Sequence, residues 1–129
     1  MAEAARAQKF GDSLLEAERS GDTGALLSQF ADGATLARPE LDHSHGPTSD
    51  ADQFWATYLA QFSDLGTEFS RVVEAEDIAV LEWTTKGTLA GGAPIEYAGV
   101  SLLTFGDDDL VVAFSTYYDT AAFTTPEVN

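Results

Sequence analysis

Asp109-Leu110-Val111-Val112-Ala113-Phe114-Ser115-Thr116-Tyr117-Tyr118-Asp119 is a β-rich segment whose closing strand reads as Leu110–Asp119, followed by Thr120-Ala121-Ala122-Phe123. A strand that ends in two tyrosines and an aspartate sets aromatic walls beside one carboxylate, as a small-molecule pocket does. Working back from it, apolar residues recur with period two through Ile95–Phe105, Ile78–Leu89 and Phe69–Ala75. Four consecutive strands are therefore expected. Their connections, Glu76-Asp77, Gly91-Gly92 and Gly106-Asp107-Asp108-Asp109, are short enough for hairpins, so the strands should form an antiparallel meander.

Further upstream the period becomes helical. Ala7, Phe10, Leu14 and Ala17 predict an amphipathic helix from about Glu3 to Ser20, stopped at Gly21. Asp22 is placed to cap a short second helix carrying Ala25, Leu26, Leu27 and Phe30. Asp32-Gly33 signals a turn, and Ala34–Arg38 a short strand halted by Pro39. Asp50 with Gln53 resembles a capping box opening a third helix, striped by Ala51, Phe54, Trp55, Tyr58, Leu59 and Phe62, with Gly66 as its stop. Helices first and strands afterwards is the α+β signature, here in a single domain over residues 1–129.

The chain carries 22 acidic residues against six Lys plus Arg, a formal charge of −16. Such a surface repels phosphate backbones and anionic headgroups, which argues against nucleic acid and membrane as partners. It serves solubility, and it also fits a high-salt habitat. With no cysteine there are no disulfides, no thiolate chemistry and no Cys-zinc site. Met1–Ser20 lacks the apolar core of a signal peptide, and no apolar run approaches the roughly 20 residues that span a bilayer. The expectation is a soluble, cytoplasmic protein.

Several motifs, in order, resemble one superfamily. They are Phe30-Ala31-Asp32-Gly33-Ala34-Thr35 after the Gly21-Asp22 break, a Gly46-led helix with Phe54-Trp55, then Gly87-Thr88, Gly99-Val100 and Tyr117-Tyr118-Asp119. Together they resemble the nuclear-transport-factor-2-like superfamily, and within it the SnoaL-like, polyketide-cyclase-like branch, over about Ala7 to Phe123. The resemblance implies a cystatin-like α+β barrel: a cone in which a curved antiparallel sheet wraps three N-terminal helices around an apolar pocket. It also implies homodimers paired through the sheet. Steroid-isomerase-like members place a base, a tyrosine and a second aspartate where this chain has Arg38, Leu15 and Ser101, so that mechanism lacks its groups. The Asp-Arg-Asp set of epoxide-hydrolase-like members is also missing, since no arginine follows Arg71.

SnoaL-like cyclases close rings with a pocket carboxylate and a donor for the enolate, which makes Asp119 the leading acid/base candidate by resemblance. The residue equally reads as a cap for the turn after it. His43 and His45 share a face of an extended segment and are candidate rim donors or bases, or plain surface residues; no third metal ligand is specified. Arg38 could hold a carboxylate or enolate oxygen, or pair with Glu40 or Asp42. Trp55, Tyr58, Phe62, Trp83, Tyr97, Ser101 and Tyr117 are candidate ligand contacts, although an aromatic stripe is usually core. The resemblance implies that the strand face carrying Tyr97 and Ser101 turns inward, and strand parity then sends Glu82 and Glu96 to solvent or a dimer interface.

Three functions compete. The first is cofactor-free acid/base catalysis, of cyclase or isomerase type, on a small hydrophobic or aromatic carbonyl compound. The second is a non-catalytic binder of such a molecule. The third is a dimerising module whose cone is merely core. A cone filled by its own aromatics, with no cavity above about 300 Å³, would remove both ligand readings.

Overall fold

Eight elements run through residues 5–38 and 48–118, the part of the chain that the computed structural model describes. They are α1 (Ala5–Ser20), α2 (Gly24–Leu27), β1 (Phe30–Ala37), α3 (Ala51–Ala60), β2 (Phe62–Ala75), β3 (Ile78–Leu89), β4 (Pro94–Phe105) and β5 (Val111–Tyr118). The strands form one sheet in the order β1-β5-β4-β3-β2. The meander β2 to β5 is antiparallel throughout, and β1 adds to β5 in parallel. The class is α+β, as expected.

Some boundaries moved, each for a local reason. The second helix is a single turn, and Phe30 belongs to β1 rather than to it. Asp32-Gly33 is not a turn between elements. It lies within β1, where the register against β5 slips between Phe30 and Thr35 and Gly33 takes φ +78. Gly66 does not stop the third helix. That helix ends at Ala60, and β2 starts at Phe62, seven residues before the expected Phe69, with Gly66 paired to Lys86. Phe62 therefore stands on a strand. Of the predicted caps, Gly21 closes α1 at φ +81, and Asp50 Oδ1 accepts the Gln53 amide at 2.9 Å.

The sheet's inner face packs on the helices. Phe10 of α1, Phe30 of β1, Trp55 of α3 and Phe114 of β5 meet ring against ring, with Leu26, Leu36, Leu81 and Leu103 filling the space between. Each such side chain, once buried, contributes roughly 1.5–3 kcal/mol. Arg6 fastens α1 to β2 through Glu74 at 2.6 Å and lies over the Phe105 ring. Among the described residues, no helix is long and apolar enough to cross a membrane.

Candidate functional site

Register fixes which side chains share the inner face. Across β3, β4 and β5 the rows run Ala79–Leu103–Phe114, then Leu81–Ser101–Thr116, then Trp83–Gly99–Tyr118. Thr85 pairs with Tyr97 and with Thr67 of β2. The face thus changes along its length. One end is aliphatic and phenylalanine-rich, while the other carries hydroxyls and indole. Glu82 and Glu96 are exposed, as parity predicted.

Gly99 makes the third row possible. A Cβ there would stand 2.6 Å from the Trp83 ring and 2.4 Å from the Tyr117 carbonyl oxygen. The indole lies across this gap, and its Nε1 donates to Ser101 Oγ at 3.0 Å. Ser101 also bonds Thr116 Oγ1 at 2.9 Å. Tyr97 and Tyr118 close round Trp83, with ring centroids 5.4 Å apart from each other.

Two helices complete the polar end. Glu18, on α1, accepts hydrogen bonds on Oε2 from the Tyr58 hydroxyl (2.8 Å) and the Thr67 hydroxyl (2.7 Å). Thr67 and Thr85 hydroxyls lie 2.7 Å apart. Since Thr67 gives its hydrogen to Glu18, Thr85 is the donor in that pair. Glu18 Oε1 is buried with no partner among the described residues, as is Trp55 Nε1. Burial raises the Glu18 carboxyl pKa, opposed by the bonds from Thr67 and Tyr58. Burial, then the Glu18 charge, pushes the Tyr58 hydroxyl well up, and Tyr97 is raised chiefly by burial.

Arg38 continues the parity of Ala34 and Leu36, so it turns inward just past β1 and is buried. Its Nη2 donates to the Phe54 carbonyl at 3.2 Å, and the guanidinium lies 4.2 Å from the Phe54 ring centroid. A cavity of about 30 Å³ opens between these groups, lined by Arg38, Trp55, Tyr58, Trp83, Tyr97 and Ser101 from the predicted set. It is also lined by Thr67, Thr85, Phe114, Thr116 and Tyr118. That volume holds about two water molecules. It falls far below the roughly 300 Å³ of a ligand site, so a drug-sized molecule does not fit unless rings move.

Two expected contacts lie elsewhere. Tyr117 points to the outer face, 36% exposed, and it is Tyr118 that turns inward. The alternation of the strand decides this, because Thr116 and Tyr118 share parity with Phe114. Phe62 is outside the cavity lining; it stacks parallel to Tyr97 and meets Tyr58 edge-on. Asp119, His43 and His45, like Glu40 and Asp42, lie outside the described residues. Sequence reasoning missed Glu18, Thr67, Thr85 and Thr116. Glu18 had a signal: it stands four residues after Leu14 and eleven after Ala7, on the stripe that faces the sheet.

Among the many solved structures that resemble this one, three illustrate the likeness. AclR from Streptomyces galilaeus, provisionally assigned as a hydroxylase, superposes with TM-score 0.76 at 19% identity, covering 99% of this chain and 87% of its own. Wild-type IdmH from Streptomyces antibioticus, provisionally assigned as a polyketide cyclase, gives 0.72 at 20% identity, covering 92% and 94%. An NTF2-like protein of unknown function from Exiguobacterium sp. 255-15 gives 0.71 at 21% identity, covering 89% and 98%. At these identities the likeness shows the fold alone. No curated protein matches the chain. The model of the SnoaL-like domain matches residues 12–114, and on that match, with its α1-to-β5 architecture, the chain belongs to the SnoaL-like family.

Proposed function

We propose that this protein takes a small hydrophobic or aromatic carbonyl compound into the polar end of its cone and acts on it by cofactor-free acid/base chemistry. The observation that carries the reading is the change of the inner sheet face at the Leu81–Ser101–Thr116 row. The hydroxyls of Thr67, Thr85, Ser101 and Thr116 are buried there and bonded to Glu18, to Trp83 and to one another, a polar lining that a ligand's oxygen could join. Arg38, on the same cavity, is suited to a carbonyl or enolate oxygen. Asp119, with His43 or His45, supplies the acid and base by resemblance to cyclases of the family. At about 30 Å³ the cavity lies under the roughly 300 Å³ below which both ligand readings fall, so this reading holds only with the rings of Trp83, Tyr97 and Tyr118 parted to admit the ligand.

That same volume favours a second reading, in which the cone is core and the protein a dimerising module. The outer sheet face supports a homodimer under either reading. Val73, Ile78, Leu102, Val112 and Tyr117 are exposed there at 36–47%. The acidic surface is in keeping with a cytoplasmic location.

The test is a panel of small aryl ketones followed through the indole N–H signals of the two tryptophans, both of which line the cavity. Saturable shifts support the ligand reading, and their absence across the panel leaves the core reading. For a ligand that is turned over, Asp119→Asn abolishes turnover if Asp119 is the acid/base group. Unchanged turnover removes Asp119 from the mechanism.

A further inference from the structure

Glu18 is directed inward from α1, and no ion pair among the described residues involves it. Its surroundings fix hydrogen positions. While the carboxylate is ionised, Tyr58 and Thr67 both turn their hydrogens toward Oε2. Tyr58 then has only oxygen lone pairs to offer elsewhere. When the carboxyl is neutral it has one O–H and one C=O. Protonated on Oε2, it donates that O–H to Tyr58 while the same oxygen goes on accepting from Thr67. The Tyr58 hydrogen is released, and Tyr58 lines the cavity.

We propose that Glu18 selects the hydrogen-bonding character of the ligand through Tyr58. Ionised, it makes the Tyr58 hydroxyl an acceptor for a phenol or enol; neutral, it makes the same hydroxyl a donor to a carbonyl oxygen. Glu18 is thus a positioning residue, and the inference rests on the reading of the cone as a ligand site. It places hydroxyl and carbonyl forms of one compound class under the control of a single proton.

The groups that bear on Glu18 are few. Tyr58 faces it from α3 and is hydrogen-bonded in turn to Tyr97 of β4, whose titration the Glu18 charge raises, while β2 and β3 contribute the hydroxyls of Thr67 and Thr85. Arg38, past the end of β1, acts on Tyr97. Both tyrosines have their titration pushed up by burial, away from neutrality. Burial likewise raises the Glu18 carboxyl pKa, against the bonds from Thr67 and Tyr58.

The experiment compares two probes of similar size, p-cresol as the hydroxyl ligand and acetophenone as the carbonyl ligand. Dissociation constants are read from the two indole N–H signals between about pH 5 and 8, where both probes stay neutral. The expected result is a preference that moves by about threefold or more from acetophenone toward p-cresol as pH rises. Glu18→Gln, whose amide donates to Tyr58 as the neutral carboxyl does, should prefer acetophenone at every pH. Tyr58→Phe should show a ratio independent of pH. A wild-type ratio that stays flat overturns the proposal, as does wild-type pH dependence persisting in either variant. Binding with a flat ratio leaves the cone reading standing. If neither probe moves an indole signal at any pH, the cone reading falls and this inference with it.

Discussion

Two ends of one sheet face fold under different rules. At the Ala79–Leu103–Phe114 row every inner side chain is apolar, and Phe114 touches the rings of Phe10, Phe30, Phe54 and Trp55. Two rows on, the same strands present Trp83, Tyr97 and Tyr118, flanked by the hydroxyls of Ser101 and Thr116. The first end is stabilised by area removed from water. The second gains less, because hydrogen bonds between buried hydroxyls largely replace bonds to water. Stability is therefore concentrated at one end, while hydroxyls and titratable groups collect at the other.

The sharpest way to break this contrast is a pair of substitutions two residues apart on β5. Phe114→Ala should cost about 3–5 kcal/mol in urea unfolding, because it empties the centre of the aromatic cluster. A loss below about 1 kcal/mol would mean that the apolar end does not hold the fold. Gly99→Ala comes next, at about 1–3 kcal/mol, because its methyl would overlap the Trp83 ring and the Tyr117 carbonyl. Thr116→Val should change stability by about 1 kcal/mol or less, since Ser101 keeps its bond from Trp83. A Thr116 variant as damaging as Phe114→Ala would erase the distinction between the two ends.

The smallest effect concerns Glu18, and it has a sign. Its folded-state pKa is raised, so the neutral form stabilises the fold below the unfolded pKa. That stability is lost as pH rises through the raised folded value. Glu18→Gln removes this loss. Its melting temperature relative to wild type should therefore climb from about pH 4.5 upward and then level off. A difference that is flat with pH would show that the carboxyl is not desolvated in the folded chain.

How much of this was legible in the sequence follows from period and parity. β3 was read to its ends, because Ile78–Leu89 alternates cleanly between the Glu76-Asp77 turn and the glycines after it. β2 was read half its length, since Gly66 looks like a helix stop and Phe62 continues a helical stripe by chance of spacing. Only the pairing of residues 62–69 with β3 overrides those local signals. The β1 bulge was mistaken for a turn because Asp32-Gly33 serves both. At the site, the family resemblance put Tyr97 and Ser101 on the inner face, where both are buried. Tyr117 and Tyr118 were interchanged because a strand's phase cannot be set from its last residues alone. Glu18 does not figure in the sequence reading, although its position on the buried stripe of α1 is visible there. The threonines were invisible for another reason. Thr67, Thr85 and Thr116 meet only through register across several strands, which no single segment records.

The central claim is that the polar end is built to receive a ligand rather than to fill itself. A crystal structure of the protein soaked with acetophenone tests it most directly. The account predicts the aryl ring between Trp83, Tyr97 and Tyr118, those rings displaced, and the carbonyl oxygen within hydrogen-bonding distance of Tyr58 or Arg38. Full occupancy of the cone by its own side chains at saturating acetophenone, with all three rings unmoved, would contradict it.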